Sequence, residues 1–260
     1  MKNLPLHVTA LSILLTGSAM AADMRMPAKA PAPAAVPVAA FSWTGCYVGG
    51  GGGYGMYNQD VTVRDPGGFA LTDEVTFGGR GWFGTVQVGC DFQVGANIVV
   101  GAFADYDFSN LKGRVHDIID DHFGRERLKS SWAAGARIGW LPLQQQQLMV
   151  FVSGGYTEAR FGEIRFHHLD GSPDPQSIGR HTYEGWFIGT GYEYALGWFP
   201  NLTWKTEYRF ADYGRDRLAV LFDGVETGLT VDARKYVHTV RSELVWRFNF
   251  GGRGGVVARY

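Results

Sequence analysis

Histidine and carboxylate side chains crowd one stretch of this 260-residue chain, His116-Asp117-Ile118-Ile119-Asp120-Asp121-His122. Imidazole nitrogens and carboxylate oxygens are ligands for divalent ions, but this spacing follows no recognised metal site. Arg114, Arg125, Arg127 and Lys129 flank it, so the stretch reads as a solvated loop carrying both signs of charge. Those four cations suit charge-assisted hydrogen bonds to phosphate groups. A hydrolytic site would need a His activating a Ser beside an acid. His181 and His238 are the candidate bases and Ser130 and Ser131 the candidate nucleophiles, yet no motif joins them. The glycine run at 49–53 lacks the Lys-Ser/Thr and the helix of a phosphate-binding loop. It reads as strand glycine that lets a sheet bend or admits a bulky neighbour. No catalytic, cofactor-binding or metal-ligating residue is therefore expected, and the weight falls on the elements that carry these side chains.

Composition narrows those elements. The chain has 37 Gly, 14% aromatic and 19% charged residues, with a formal net charge of -1. That balance argues against disorder and against a basic nucleic-acid binder. A mean hydropathy of -0.10 argues against a bundle of membrane helices. Lys2, the apolar residues from Val8 to Leu15 and Ala19-Met20-Ala21 form a secretory signal with cleavage expected after Ala21. Residues 22–41 are an Ala/Pro-rich linker. In an exported chain Cys46 and Cys90 can pair; the alternative is that both are small apolar residues facing lipid.

From Trp43 onward apolar and polar residues alternate with period two. The pattern predicts eight strands, at 43–54, 81–93, 97–108, 130–141, 147–158, 183–195, 201–211 and 236–250. One face carries Trp82, Val86, Val88, Cys90 and Phe92 on the second strand and Ile98, Val100, Ala102, Ala104 and Tyr106 on the third. It continues in this way without a charge. The opposite face carries Asp91, Asp105, Asp107, Arg137, Glu193, Lys205, Glu207, Arg209, Arg241, Glu243 and Arg247. Aromatics end the apolar face at both rims, with Tyr54, Trp82, Trp132, Tyr156 and Trp186 at one and Phe92, Trp140, Tyr194 and Trp246 at the other. An aliphatic band between two aromatic girdles is the outer surface of a transmembrane β-barrel.

Connections at 55–78, 109–129, 162–180 and 212–235 are long and polar, whereas those around Gly95, Pro142 and Gly197 are short. Long and short links alternate over an even number of strands. This predicts an all-β, eight-stranded antiparallel barrel with four extracellular loops and both termini in the periplasm. Eight strands leave room only for side chains or one small ligand, so the inward charges are read as structural filling. The rival is a narrow water or ion path along Glu207, Arg209, Arg241 and Glu243.

Phe41-Ser42-Trp43-Thr44-Gly45-Cys46-Tyr47-Val48-Gly49 follows the linker, Gly185-Trp186-Phe187-Ile188-Gly189-Thr190-Gly191-Tyr192-Glu193-Tyr194 comes later, and Lys205-Thr206-Glu207-Tyr208-Arg209-Phe210 follows. With His238-Thr239-Val240-Arg241 opening a strand that ends Trp246-Arg247-Phe248-Asn249-Phe250, the chain resembles the small eight-stranded outer-membrane proteins of alphaproteobacteria, often labelled porin-family and including the RopB-like proteins. The resemblance implies an outer-membrane location, a part in envelope integrity and surface exposure; some members are haem binders or antigens. Cys46 and Cys90 stand where that family has aromatics, Arg165-Phe166-His167-His168 has no evident counterpart, and a Gly-rich tail at 251–260 follows the last strand. Either Phe250 or Tyr260 ends the assembly signal.

The expected domains are thus a signal at 1–21, a periplasmic linker at 22–41, a barrel at 42–250 and a tail at 251–260. The expected function is a non-enzymatic envelope barrel with surface contacts and at most weak permeability. Its expected partners are outer-membrane lipids, lipopolysaccharide and the outer-membrane assembly machinery, with no nucleic acid; the oligomeric state stays open. The alternatives are a surface haem or metal binder acting through the loops, and a lipid A-modifying enzyme.

Overall fold

The computed structural model describes residues 41–116, 122–143 and 146–248. The signal, nearly all of the linker, the acidic part of the 116–122 stretch, Phe250 and the tail lie outside the described residues. Among the described residues ten strands run in chain order: β1 Gly45–Arg64, β2 Val75–Val94, β3 Ile98–His116, β4 Phe123–Trp140, β5 Leu148–Phe161, β6 Ile164–His167, β7 Pro173–Ile178, β8 His181–Ala195, β9 Leu202–Phe222 and β10 Val225–Phe248. Eight of them, β1-β2-β3-β4-β5-β8-β9-β10, form an antiparallel ring. It is closed by β1 against β10 in a register from Cys46↔Phe248 to Arg64↔Thr230. Closure leaves no strand edge with unpaired amides and carbonyls in hydrocarbon.

The two faces fall as the alternation predicts. Val86, Val88, Val152 and Ile188 are half-exposed on the outside, while Gln87, Ser153 and Phe187 between them are buried. All eleven charges of the opposite face are buried. At the outer rim Tyr54 meets Trp82 edge-on at 5.0 Å, Trp132 meets Tyr156 at 5.5 Å and Trp186 meets Phe210 at 5.9 Å.

Beyond that rim the structure corrects the sequence reading. The segments expected to be long loops are mostly strand: β1 reaches Arg64, β3 reaches His116, β9 reaches Phe222 and β10 begins at Val225. The alternation persists there with its polarity reversed. Ser109, Leu111 and Val115 are buried inside, while Asn110, Lys112 and Arg114 are exposed. Above the bilayer the wall meets water, so the hydrophobic effect now places apolar side chains inward. Val61, Val63, Val115, Ile164, Phe166 and Val231 belong to one apolar cluster there.

The third of those segments, 162–180, is also not a plain loop. It contains β6 and β7, which pair with each other through Ile164↔Ile178. β6 also pairs with β4 through Phe123↔His167, and β7 pairs with β9 through Ile178↔Val220. β5 ends at Phe161 and β8 starts at His181, so this hairpin takes their places and the wall stays closed above the membrane.

Cys46 and Cys90 are register partners on β1 and β2 and are joined by a disulfide. Their sequence separation of 44 closes a loop worth up to about 4 kcal/mol in the chain-entropy account. Reduction is expected to change the mobility of the unfolded chain on a denaturing gel, and the C46S/C90S double variant to unfold at lower denaturant. Identical mobility with and without reductant would contradict the bond. Among the wall glycines, Gly53 shows why no side chain is allowed: an added Cβ would lie 2.5 Å from the Phe83 ring. Its absence lets that ring fill the lumen.

Candidate functional site

The lumen is built as stacked layers of charge separated by aromatic rings. At the periplasmic end Arg137 makes two bonds to Asp91, at 2.9 and 2.5 Å, and a third to Glu193 at 2.9 Å. Arg247 reaches Glu193 at 2.7 Å and Asp91 at 2.8 Å. Thr203 donates to Glu193 at 2.6 Å. These side chains come from β2, β4, β8, β9 and β10, so one layer ties most of the ring together. Trp43, 1% exposed, lies against the Arg247 guanidinium at 4.7 Å and donates its indole N–H to the Gln146 carbonyl at 2.9 Å. With Val99, Leu141, Met149 and Phe151 it forms an apolar floor.

Midway, Lys205 pairs with Glu207 at 3.0 Å and donates to Gln87 at 2.9 Å. Above it Arg209 holds Asp105 through two bonds of 3.0 and 2.9 Å, and Arg241 reaches Asp107 at 2.9 Å. Phe103 and Phe187 lie edge-on to each other at 6.0 Å, and Arg209 sits over Phe187 at 4.3 Å. Of the four residues on the rival conduction path, Arg209 and Arg241 reach across to Asp105 and Asp107 on β3, Glu207 pairs with Lys205 and Arg209 along β9, and Glu243 meets Lys205 at 3.5 Å. The cavity among Asp105, Asp107, Arg209 and Arg241 measures only about 20 Å³. A further cavity, of about 50 Å³, lies in the apolar section above.

The outer surface above the aromatic rim is chemically different. Arg80, Lys112 and Arg127 are direct cross-strand neighbours on β2, β3 and β4, and Arg114 faces Arg125 one step higher. All five are exposed, as is Lys129. No ion pair among the described residues involves any of the six. They border a concavity of about 1000 Å³ whose acids are Glu126 and Glu163. Like charges directly opposite one another weaken a sheet, so this row stores an electrostatic cost that an anion at the surface would relieve.

Asp232, in the outer section, is held by Arg64 at 2.6 Å and Arg217 at 2.8 Å. The hydrogen bond from Arg217, reinforced by that from Arg64, keeps its carboxyl below the usual range. A depressed folded-state value means the contribution is present above the unfolded value of about 3.9 and is lost as pH falls through the folded one. Proteolysis of the outer section by pepsin is expected to accelerate progressively below about pH 4. Asp232→Asn should loosen the same segment at neutral pH, read by amide exchange; unchanged exchange would remove this clasp from the account.

The structure does not bring the hydrolytic candidates together. His181 pairs with Asp216 at 2.8 Å, and His238 Nδ1 meets the Tyr208 hydroxyl at 2.8 Å. Ser131 donates to Asp107 at 3.3 Å. Among the described residues no hydrogen bond links Ser130 or Ser131 to either His. The 116–122 stretch is only partly described, but His122 is, and it meets His168 and Asp174 from the third extracellular segment. Nothing in the sequence joins these residues: His122 lies far from His168 and Asp174 in the chain, and the pairing of β6 with β4 and β7 brings them together.

No family profile matches the chain. It is 29% identical over 250 residues to the 31 kDa outer-membrane immunogenic protein of Brucella melitensis, a match spanning 93% of this chain and 98% of that protein. The protein of the same description in Brucella suis is equally similar. Among solved structures, the outer membrane protein OprG from Pseudomonas aeruginosa shares 12% identity and a TM-score of 0.48, covering 79% of this chain and 97% of its own. Neisserial surface protein A gives a TM-score of 0.40 at 15% identity, covering 79% and 98%.

Proposed function

We propose that this outer-membrane β-barrel is a non-conducting, non-enzymatic structural protein of the envelope whose outer section docks the phosphate groups of lipopolysaccharide. The observation that carries the reading is the row Arg80, Lys112 and Arg127, three cations abreast just above the aromatic rim that form no ion pair among the described residues. Aromatic girdles sit at headgroup level, which puts this row where phosphates of the outer leaflet lie. Arginine forks and lysine ammonium groups bind phosphate through charge-assisted hydrogen bonds. The ion-paired lumen over its Trp43 floor supports the structural part of the reading against a pore.

Purified protein in detergent is expected to bind lipid A in a salt-sensitive manner. The Arg80→Gln/Lys112→Gln/Arg127→Gln variant should bind at least tenfold more weakly while keeping its folded mobility. Equal affinity for lipid A and its dephosphorylated form would overturn the docking claim. In planar bilayers the wild-type protein is expected to give no discrete conductance steps; steady openings would overturn the non-conducting claim independently.

A further inference from the structure

The outer section holds a second cluster that envelope structure does not require. His122 Nδ1 lies 3.4 Å from Asp174 Oδ2, and His168 Nε2 lies 3.3 Å from the same oxygen. The two imidazoles meet edge-on, with ring centres 4.3 Å apart. The geometry points to a binding site for a divalent transition ion of the zinc class, formed by His122, His168 and Asp174.

Local folding explains the convergence. Phe123 opens β4 beside His167 at the end of β6, and His167 in turn pairs with Pro173 at the start of β7. The three ligand residues each follow or precede one of these paired positions, so three adjacent segments deliver one side chain apiece. Phe123 and His167 stack at 5.9 Å beneath them. Asp174 Oδ1 accepts the Gln176 amide at 2.6 Å, which fixes the carboxylate and leaves Oδ2 facing the imidazoles. Outer-shell bonds of this kind orient metal ligands.

Two further features ask for a cation. The Asp174 side chain is only 7% exposed, and among the described residues no Lys or Arg pairs with it. Apart from its 3.4 Å approach to Asp174, the buried His122 Nδ1 has no hydrogen-bond partner among the described residues. A tetrahedral ion bound at about 2.0–2.1 Å holds its ligand atoms about 3.3 Å apart, which is the separation of both nitrogens from Oδ2. Two imidazoles and one carboxylate favour zinc, copper or nickel over the oxygen-seeking calcium and magnesium. The His168 side chain is 43% exposed, so the fourth position opens to solvent and the ion can exchange. Occupancy would tie the second extracellular segment to the third.

The test uses the untagged mature protein, folded in detergent, titrated with Co2+ and Zn2+ near neutral pH. The proposal expects one equivalent of Co2+ with the visible bands of tetrahedral coordination, displaced by Zn2+. His168→Ala and Asp174→Asn should each weaken binding at least tenfold, with folding checked by heat-modifiable gel mobility. A wild-type protein that binds no Co2+, or variants that bind it as tightly as wild type, would overturn the site. Binding of lipid A is independent of this result, so the two proposals fail separately.

Discussion

Replacing Glu193 by Leu is expected to destabilise the barrel by about 3–5 kcal/mol, the cost of leaving a buried charge without its partner. Glu193 is fully buried and is shared by Arg137, Arg247 and Thr203. Its loss leaves two guanidiniums in a low-dielectric lumen with Asp91 as their remaining acid. Isosteric Glu193→Gln keeps acceptor geometry while removing charge, and should fall between Leu and wild type. Urea unfolding in lipid vesicles, followed by tryptophan fluorescence, measures both. A cost below about 1 kcal/mol for Glu193→Leu would mean that the periplasmic layer is not the buried network described.

The second large effect lies on the other face of the wall. Val88 is 56% exposed toward lipid and sits between Val48 on β1 and Ala104 on β3. Val88→Arg is expected to cost about 2–4 kcal/mol, because a guanidinium at mid-bilayer depth must give up its hydration. Val88→Leu should be close to neutral, since it adds only a methylene against lipid chains. The contrast makes the pair informative. Equal folding of both variants in vesicles would place Val88 off the lipid face.

Legibility in the sequence followed the solvent. Between the aromatic rims hydrocarbon tolerates no charge outside, so parity alone separated Val86 and Val88 from Gln87 and Asp91, and the eight-membered ring was legible. Above the rim both alternating sets are mixed with glycine, and the outward Asn110, Lys112 and Arg114 made a strand look like a polar loop. One overlooked signal was local. Asp223-Gly224 has positive φ at both residues, 51° and 79°, between the paired Phe222 and Val225. An Asp-Gly dipeptide between alternating runs is a strong hairpin signal. β7 was hidden by Pro173 and Pro175, which argue for loop or edge. The His122, His168 and Asp174 cluster had no sequence signature, because its convergence depends on β6 and β7 replacing β5 and β8 in the wall. The Arg114, Arg125, Arg127 and Lys129 charges were legible, but the cross-strand row that adds Arg80 and Lys112 required the register.

The central claim is that the wall reverses its polarity at the outer aromatic rim while the strands continue. Single nitroxide labels along β3 test it most directly, at positions 100, 102 and 104 below the rim and 110, 112 and 114 above it. Collision with oxygen dissolved in the bilayer should dominate at the first three, and collision with a water-soluble nickel chelate at the last three, all six showing the restricted mobility of strand residues. Lipid-type exposure continuing through 114, or loop-like mobility from 109 onward, would contradict it.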